Sequence, residues 1–194
     1  RYKELGHKVY TVIATDGCRG GGKPDAEMVN IRMKEMQASA SHTGFDPILL
    51  GFEDGRLVYD GQTYEKVAEV YGSLKPDVVI THDPNDYHAD HRAISRLVTD
   101  VSWVPVFFSD PLGSVNFEPQ FFVDISDQFE LKLKAVSEHV TMNPPVLREQ
   151  VEVTNRFRAM QCGRKGIRYA EAYRLFPRIG FVLGYELLPG YGRL

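Results

Sequence analysis

The chain has 194 residues, 43% of them hydrophobic and 25% charged, with a net charge of -3 at pH 7. Those proportions suit a single globular domain spanning residues 1–194. They give no basis for nucleic-acid binding, no apolar run approaches the ~20 residues of a membrane span, and no signal-peptide pattern opens the chain. Two cysteines, Cys18 and Cys162, are too few for a disulfide framework and read as free thiols in a reducing cytoplasm. The oligomeric state is not legible, so a homo-oligomer stays open.

The chain opens at Arg1 without a methionine, and Arg1 to Gly6 reads as the end of an amphipathic helix closed by glycine. An element before it is therefore expected. Lys8 to Thr15 is a β-branched run, hence a buried strand, and it leads into a glycine-rich loop from Asp16 to Gly22. Helical spacing follows from about Ala26 to Ser41, with Met28, Ile31, Met36 and Ala40 as inner positions and His42-Thr43-Gly44 as the stop. Pro47 to Phe52 is a second strand, and Glu53-Asp54-Gly55 turns the chain. Thr63 to Leu74 is a helix ended by Pro76, and Asp77 to Thr81 is a third strand. Ala93 to Val101 reads as helix again. Strands that are apolar throughout, alternating with helices, predict a parallel sheet covered on both faces. Beyond Pro105 the pattern changes to two short strands, Val106 to Ser109 and Gln120 to Asp124. A helix capped by Ser126 then runs to about His139, and another runs from Pro144 to about Cys162. The tail from Gly163 reads as loop.

In parallel α/β sheets, ligands bind at the carboxyl ends of the strands. At the end of the third strand stand three histidines and three aspartates in ten residues, His82 to His91. His88 and His91 are three apart and share a face at a helix start. Imidazole is a good zinc ligand, and a carboxylate is its usual partner in fixing the ring tautomer. A calcium loop starting at Asp83 would need glycine at its sixth position and glutamate at its twelfth, where this chain has His88 and Ile94. His-Glu-x-x-His is absent. The glycine loop has neither the Gly-x-Gly-x-x-Gly nor the Gly-Lys-Ser/Thr spacing of nucleotide sites.

Taken together, several segments resemble the LmbE-like (PIG-L) family of zinc-dependent de-N-acetylases. His88-Ala89-Asp90-His91-Arg92 after Pro76-Asp77-Val78-Val79 is similar to that family's His-Pro-Asp-His-Arg segment, with alanine in place of proline. Thr15-Asp16-Gly17, Arg32-Met33-Lys34-Glu35, Gly51-Phe52-Glu53-Asp54-Gly55, Val123-Asp124-Ile125-Ser126 and Tyr169-Ala170-Glu171-Ala172-Tyr173-Arg174 match further segments in family order. The resemblance implies a Rossmann-like three-layer α/β/α sandwich with a mostly parallel sheet. It implies a zinc-dependent hydrolase that removes the acetyl group from an N-acetylated amino sugar of GlcNAc type, or from its conjugate. Zn2+ would be the cofactor and His91 a ligand. His88 would stabilise the tetrahedral intermediate and protonate the leaving amine, with Asp90 orienting it. Arg32 and Asp54 would contact the sugar.

The family opens with a strand followed by His-Pro-Asp-Asp-Glu, which supplies further zinc ligands and a general base. No such segment occurs here, so the first strand is expected to be missing from the chain, and the chain alone to be inactive. Each residue also has a plainer reading. Arg32 and Glu35 could be a helix ion pair, Asp54-Gly55 a turn, and His82 a supporting residue. His42 and His139 read as helix-end residues. A non-catalytic binding domain on the same fold, or a zinc hydrolase of metallo-β-lactamase type, are the competing readings. Against the latter, Asp86 stands where its first histidine belongs, and that superfamily is mostly antiparallel.

Overall fold

The computed structural model describes residues 1–20, 25–114 and 116–177. Among the described residues there are six strands and five α-helices, alternating as far as β4. Strand β1 is Thr11–Thr15, followed by α1 (Ala26–Thr43), β2 (Pro47–Phe52), α2 (Gly61–Leu74), β3 (Val79–His82) and α3 (Ala89–Val101). Then come β4 (Val106–Ser109), β5 (Phe121–Asp124), α4 (Phe129–Ser137), α5 (Pro144–Cys162) and β6 (Ala170–Leu175). Arg1 to Gly6 forms a turn in which the Leu5 amide donates to the Arg1 carbonyl at 3.0 Å and Gly6 takes φ +85°.

The helix boundaries follow from their caps. Asp25 caps α1 by accepting the Glu27 amide, and Gly44 ends it at φ 67°, in the left-handed region glycine tolerates. Asp60 and Thr63 form a reciprocal capping box at the start of α2, placing that start two residues before the expected Thr63. Helix α3 begins at Ala89 with His88 as its cap, so the histidine segment is the helix start on which His88 and His91 were expected to share a face. Ser126 does not cap α4. Its hydroxyl bonds Asp124 and accepts the Arg168 and Tyr169 amides, and Gln128 fills the cap position without a side-chain bond. The tail read as loop contains β6, a strand that the pattern Ala-Glu-Ala-Tyr-Arg-Leu does not advertise by strong β propensity. On α1 the inner position expected for Ile31 is exposed, and Glu35 is buried instead.

Strands β1 and β2 pair in parallel, and β3 pairs in parallel with β4. Strand β6 lies between β4 and β5, antiparallel to both. The order is thus β1-β2 in one sheet and β3-β4-β6-β5 in the other. Among the described residues β1 and β3 lie in different sheets and do not pair. Val12 and Ile80 each keep 41% of their surface exposed, high for parallel strands, which are normally covered on both faces.

Phe107 faces a core made with Val123, Phe129, Leu133, Val151 and Tyr173, between the sheet and α4 and α5. Its neighbours Val106 and Phe108 face the opposite side with Phe117 and Ala172. Helices α2 and α3 cover Leu50 of β2 with Val67, Leu97 and Val101, and Val98 of α3 packs against both this cluster and that of Val106 and Phe108. The result is the expected three-layer α/β/α arrangement. From Ile13 to Thr15, two steps on β1 match three on β2, from Leu49 to Phe52. The extra residue falls where Gly51 has φ 72°, a bulge that bends the end of β2. The carboxyl ends of β1, β2 and β3 carry Asp16, Asp54 and the His82 loop.

Candidate active site

The loop after β3 is held by two buried carboxylates. Asp83 accepts the Asn85 amide at 2.8 Å and the Arg174 guanidinium of β6 at 2.6 Å. Arg174 in turn lies over the Phe108 ring. Asp86 donates its amide to the Asp83 carbonyl, and its carboxylate accepts the His88 amide at 2.9 Å. Its other oxygen lies 3.0 Å from His91 Nδ1 and 4.0 Å from His82 Nδ1. Arg92 clamps the loop from outside, donating to the Asp86 and Tyr87 carbonyls. The polar-rich segment thus satisfies its backbone internally, as a compact loop at a strand end requires.

His88 is the N-cap of α3, and its Nδ1 accepts the Asp90 amide at 3.2 Å. An accepting Nδ1 leaves Nε2 to carry the proton in the neutral ring. The rings of His88 and His91 stand 4.7 Å apart, and His91 stacks on His82 at 3.8 Å with 10° between planes. Burial pushes the His82 pKa down to about 4, helped by neighbouring His91 and His88 and opposed by Asp86. His82 is therefore a neutral ring at physiological pH.

Asp90 touches His88 through its backbone. Its buried carboxylate instead accepts the Gly55 amide at 2.6 Å and the Leu57 amide at 3.2 Å, tying α3 to the turn after β2. Asp54, in that turn, donates its amide to Asp16 at 3.1 Å and accepts the Arg19 amide at 3.2 Å. Burial works to raise the Asp16 carboxyl, but amides from Cys18 and Asp54 outweigh it and hold the pKa below the ordinary value. Arg32 reaches this loop from α1. A Cβ on Gly20 would come within 2.9 Å of its guanidinium, and one on Gly17 within 3.0 Å of its stem. Glu35, 3.6 Å from Arg32, is buried and accepts both the amide and hydroxyl of Thr141, at 2.7 and 2.8 Å. Residues 21 and 22 of the glycine loop lie outside the described residues.

The five residues singled out from sequence converge as follows. Donor atoms of Asp54, His88 and Asp90 lie within 4.8 Å of one another, and His91 sits beside His88. Arg32 packs against the loop whose Arg19 amide binds Asp54. Asp86, Asp83, Asp16 and Arg174 were not among the predicted site residues. The density of aspartates around the histidines was the available signal for the first two. Arg174 had only its place in the family-like segment Tyr169 to Arg174, since β6 pairing next to β4 is what brings it to the loop.

Residues that suit a metal ion are present. Donor atoms of His82, Asp86 and His91 lie within 4.8 Å of one another, with the Asp86 carboxylate on the Nδ1 side of His91. Nitrogen and carboxylate donors of this kind suit zinc.

An α/β sandwich with a histidine–aspartate centre at its strand ends defines the class. The chain belongs to the PIG-L family, described as GlcNAc-PI de-N-acetylase, which it matches over residues 1–102. It is 32% identical over 200 residues to the diacetylchitobiose deacetylase of Thermococcus kodakarensis, covering 91% of this chain and 75% of that protein. The structure of N,N'-diacetylchitobiose deacetylase from Pyrococcus horikoshii, solved with an inhibitor, superimposes with a TM-score of 0.75 at 27% identity. It covers 97% of this chain and 78% of that one. A 4-carboxy-2-hydroxymuconate hydratase from Pseudomonas putida shares the fold, with a TM-score of 0.81 at 23% identity over 94% of this chain and 90% of that one. No helix of the described residues is long and apolar enough to cross a membrane.

Proposed function

We propose that this protein is a zinc-dependent hydrolase that removes the acetyl group from an N-acetylated amino sugar of GlcNAc type or from its conjugate. The observation that carries the reading is His88 beside His91 at the start of α3, facing Asp54 at the end of β2. The likeness to diacetylchitobiose deacetylases supports the substrate class. The fold alone would not, since a hydratase shares it.

His91 would help hold the zinc, which supplies a water acidic enough to attack an amide near neutral pH. His88 presents a proton-bearing Nε2. It can donate to the carbonyl oxygen as charge develops there, and then to the departing nitrogen. Asp90 fixes the α3 start against the β2 turn, and its amide donates to His88 Nδ1 and orients that ring. Arg32 offers a planar fork for hydroxyl or anionic groups, and Asp54 accepts hydrogen bonds from sugar hydroxyls. Residues 1–194 act as one domain. The free thiols Cys18 and Cys162 suit a cytoplasmic setting, and a homo-oligomer remains compatible.

The test separates the two histidines. His91→Ala should lower bound zinc and abolish turnover, whereas His88→Ala should keep zinc and lower kcat by about 100-fold or more. Metal analysis and hydrolysis of N,N'-diacetylchitobiose measure both. Equal zinc loss in the two variants would remove the division of roles, and no hydrolysis by the zinc-loaded parent would remove the activity.

A further inference from the structure

We propose that Asp86 is the positioning residue for both functional histidines, one carboxylate setting the tautomer of His91 and seating His88 as the cap of α3. This rests on the reading of His88 and His91 given under Proposed function.

Asp86 is only 3% exposed, so its charge is not solvated by bulk water. A buried carboxylate needs donors on both oxygens. One oxygen has the His88 amide at 2.9 Å. The cations nearby are otherwise engaged. Arg92 donates to backbone carbonyls, and Arg174 pairs with Asp83. Among the described residues the ion-pair partners left for Asp86 are two imidazoles, His91 Nδ1 at 3.0 Å and His82 Nδ1 at 4.0 Å. His91 is the nearer. Its Nδ1 is buried and has no aligned hydrogen bond in this conformation, so a modest ring rotation toward Asp86 satisfies both groups. A proton on Nδ1 leaves the Nε2 lone pair free for a metal, the arrangement that carboxylates enforce behind metal-binding histidines.

Asn at position 86 has nearly the same shape but one oxygen. If that oxygen keeps the His88 amide, the amide nitrogen faces His91 Nδ1 and can only donate. His91 then accepts at Nδ1 and carries its proton on Nε2, where it blocks the metal. A merely structural carboxylate would not make this exchange.

The experiment compares the parent protein with Asp86→Asn and Asp83→Asn. Zinc affinity is read by chelator competition, and the His91 tautomer by long-range proton–nitrogen NMR on the metal-free proteins. The expected parent has its proton on Nδ1. Asp86→Asn moves it to Nε2 and weakens zinc by about 10- to 100-fold. Asp83→Asn, in the same loop but bound to Arg174, leaves the tautomer alone. A parent carrying its proton on Nε2 overturns the proposal, even if Asp86→Asn fails to fold. So does zinc loss in Asp86→Asn without a tautomer change, which would make Asp86 a direct ligand. If the tautomer and zinc affinity shift as stated while the zinc-loaded parent cleaves no N-acetylated sugar, the positioning role stands and the proposed function falls.

Discussion

The Asp90 carboxylate accepts the Gly55 amide at 2.6 Å, so the first turn of α3 is pinned to the turn that follows β2. The histidines and Asp54 reach one place through that bond and its companion from Leu57 at 3.2 Å. Asp90→Ala leaves two amides without their acceptor and should lower stability by about 2–4 kcal/mol. It should also lower kcat by more than the loss of folded protein explains, because the α3 start and β2 turn separate. Denaturant unfolding with kinetics on the folded fraction checks this. A stable variant with parent kinetics would make the bond incidental.

Arg32→Ala should raise KM or lower kcat/KM by about tenfold while leaving zinc content unchanged. A clamping residue contributes binding and orientation, not metal ligation. Gly20→Ala should act in the same direction, since the added methyl would come within 2.9 Å of the guanidinium. Parent kinetics in Arg32→Ala would reduce the residue to a helix partner of Glu35.

His139 gives a pH dependence of stability. Burial lowers its pKa below the ordinary 6.5, and Arg32 adds to this, while Glu35 and Glu138 oppose it. The unfolded chain therefore binds the proton first as pH falls. The contribution of the neutral ring is fully present above about pH 6.5 and is lost on acidification. Replacing His139 by Gln should flatten the decline in Tm between about pH 7 and pH 5 relative to the parent. A parallel decline in both proteins would show that the ring does not titrate in that window.

Residue order alone determined the βα alternation as far as α3, because continuous β-branched runs and a stop residue such as Gly44 are local signals. It also placed His88 and His91 at a strand end, since three histidines and three aspartates fall within ten residues directly after an apolar run. Tertiary structure decided what local signals do not encode. Strand β6 became a strand only by inserting between β4 and β5, which delivers Arg174 to Asp83 across 91 positions of sequence. Asp90 sits next to His88 in the chain, yet its carboxylate is taken by Gly55 and Leu57, because burial obliges a charged group to find amide donors wherever the packing offers them. The break between β1 and β3 is likewise a property of strand pairing, which depends on partners distant in sequence and not on the propensity of either strand.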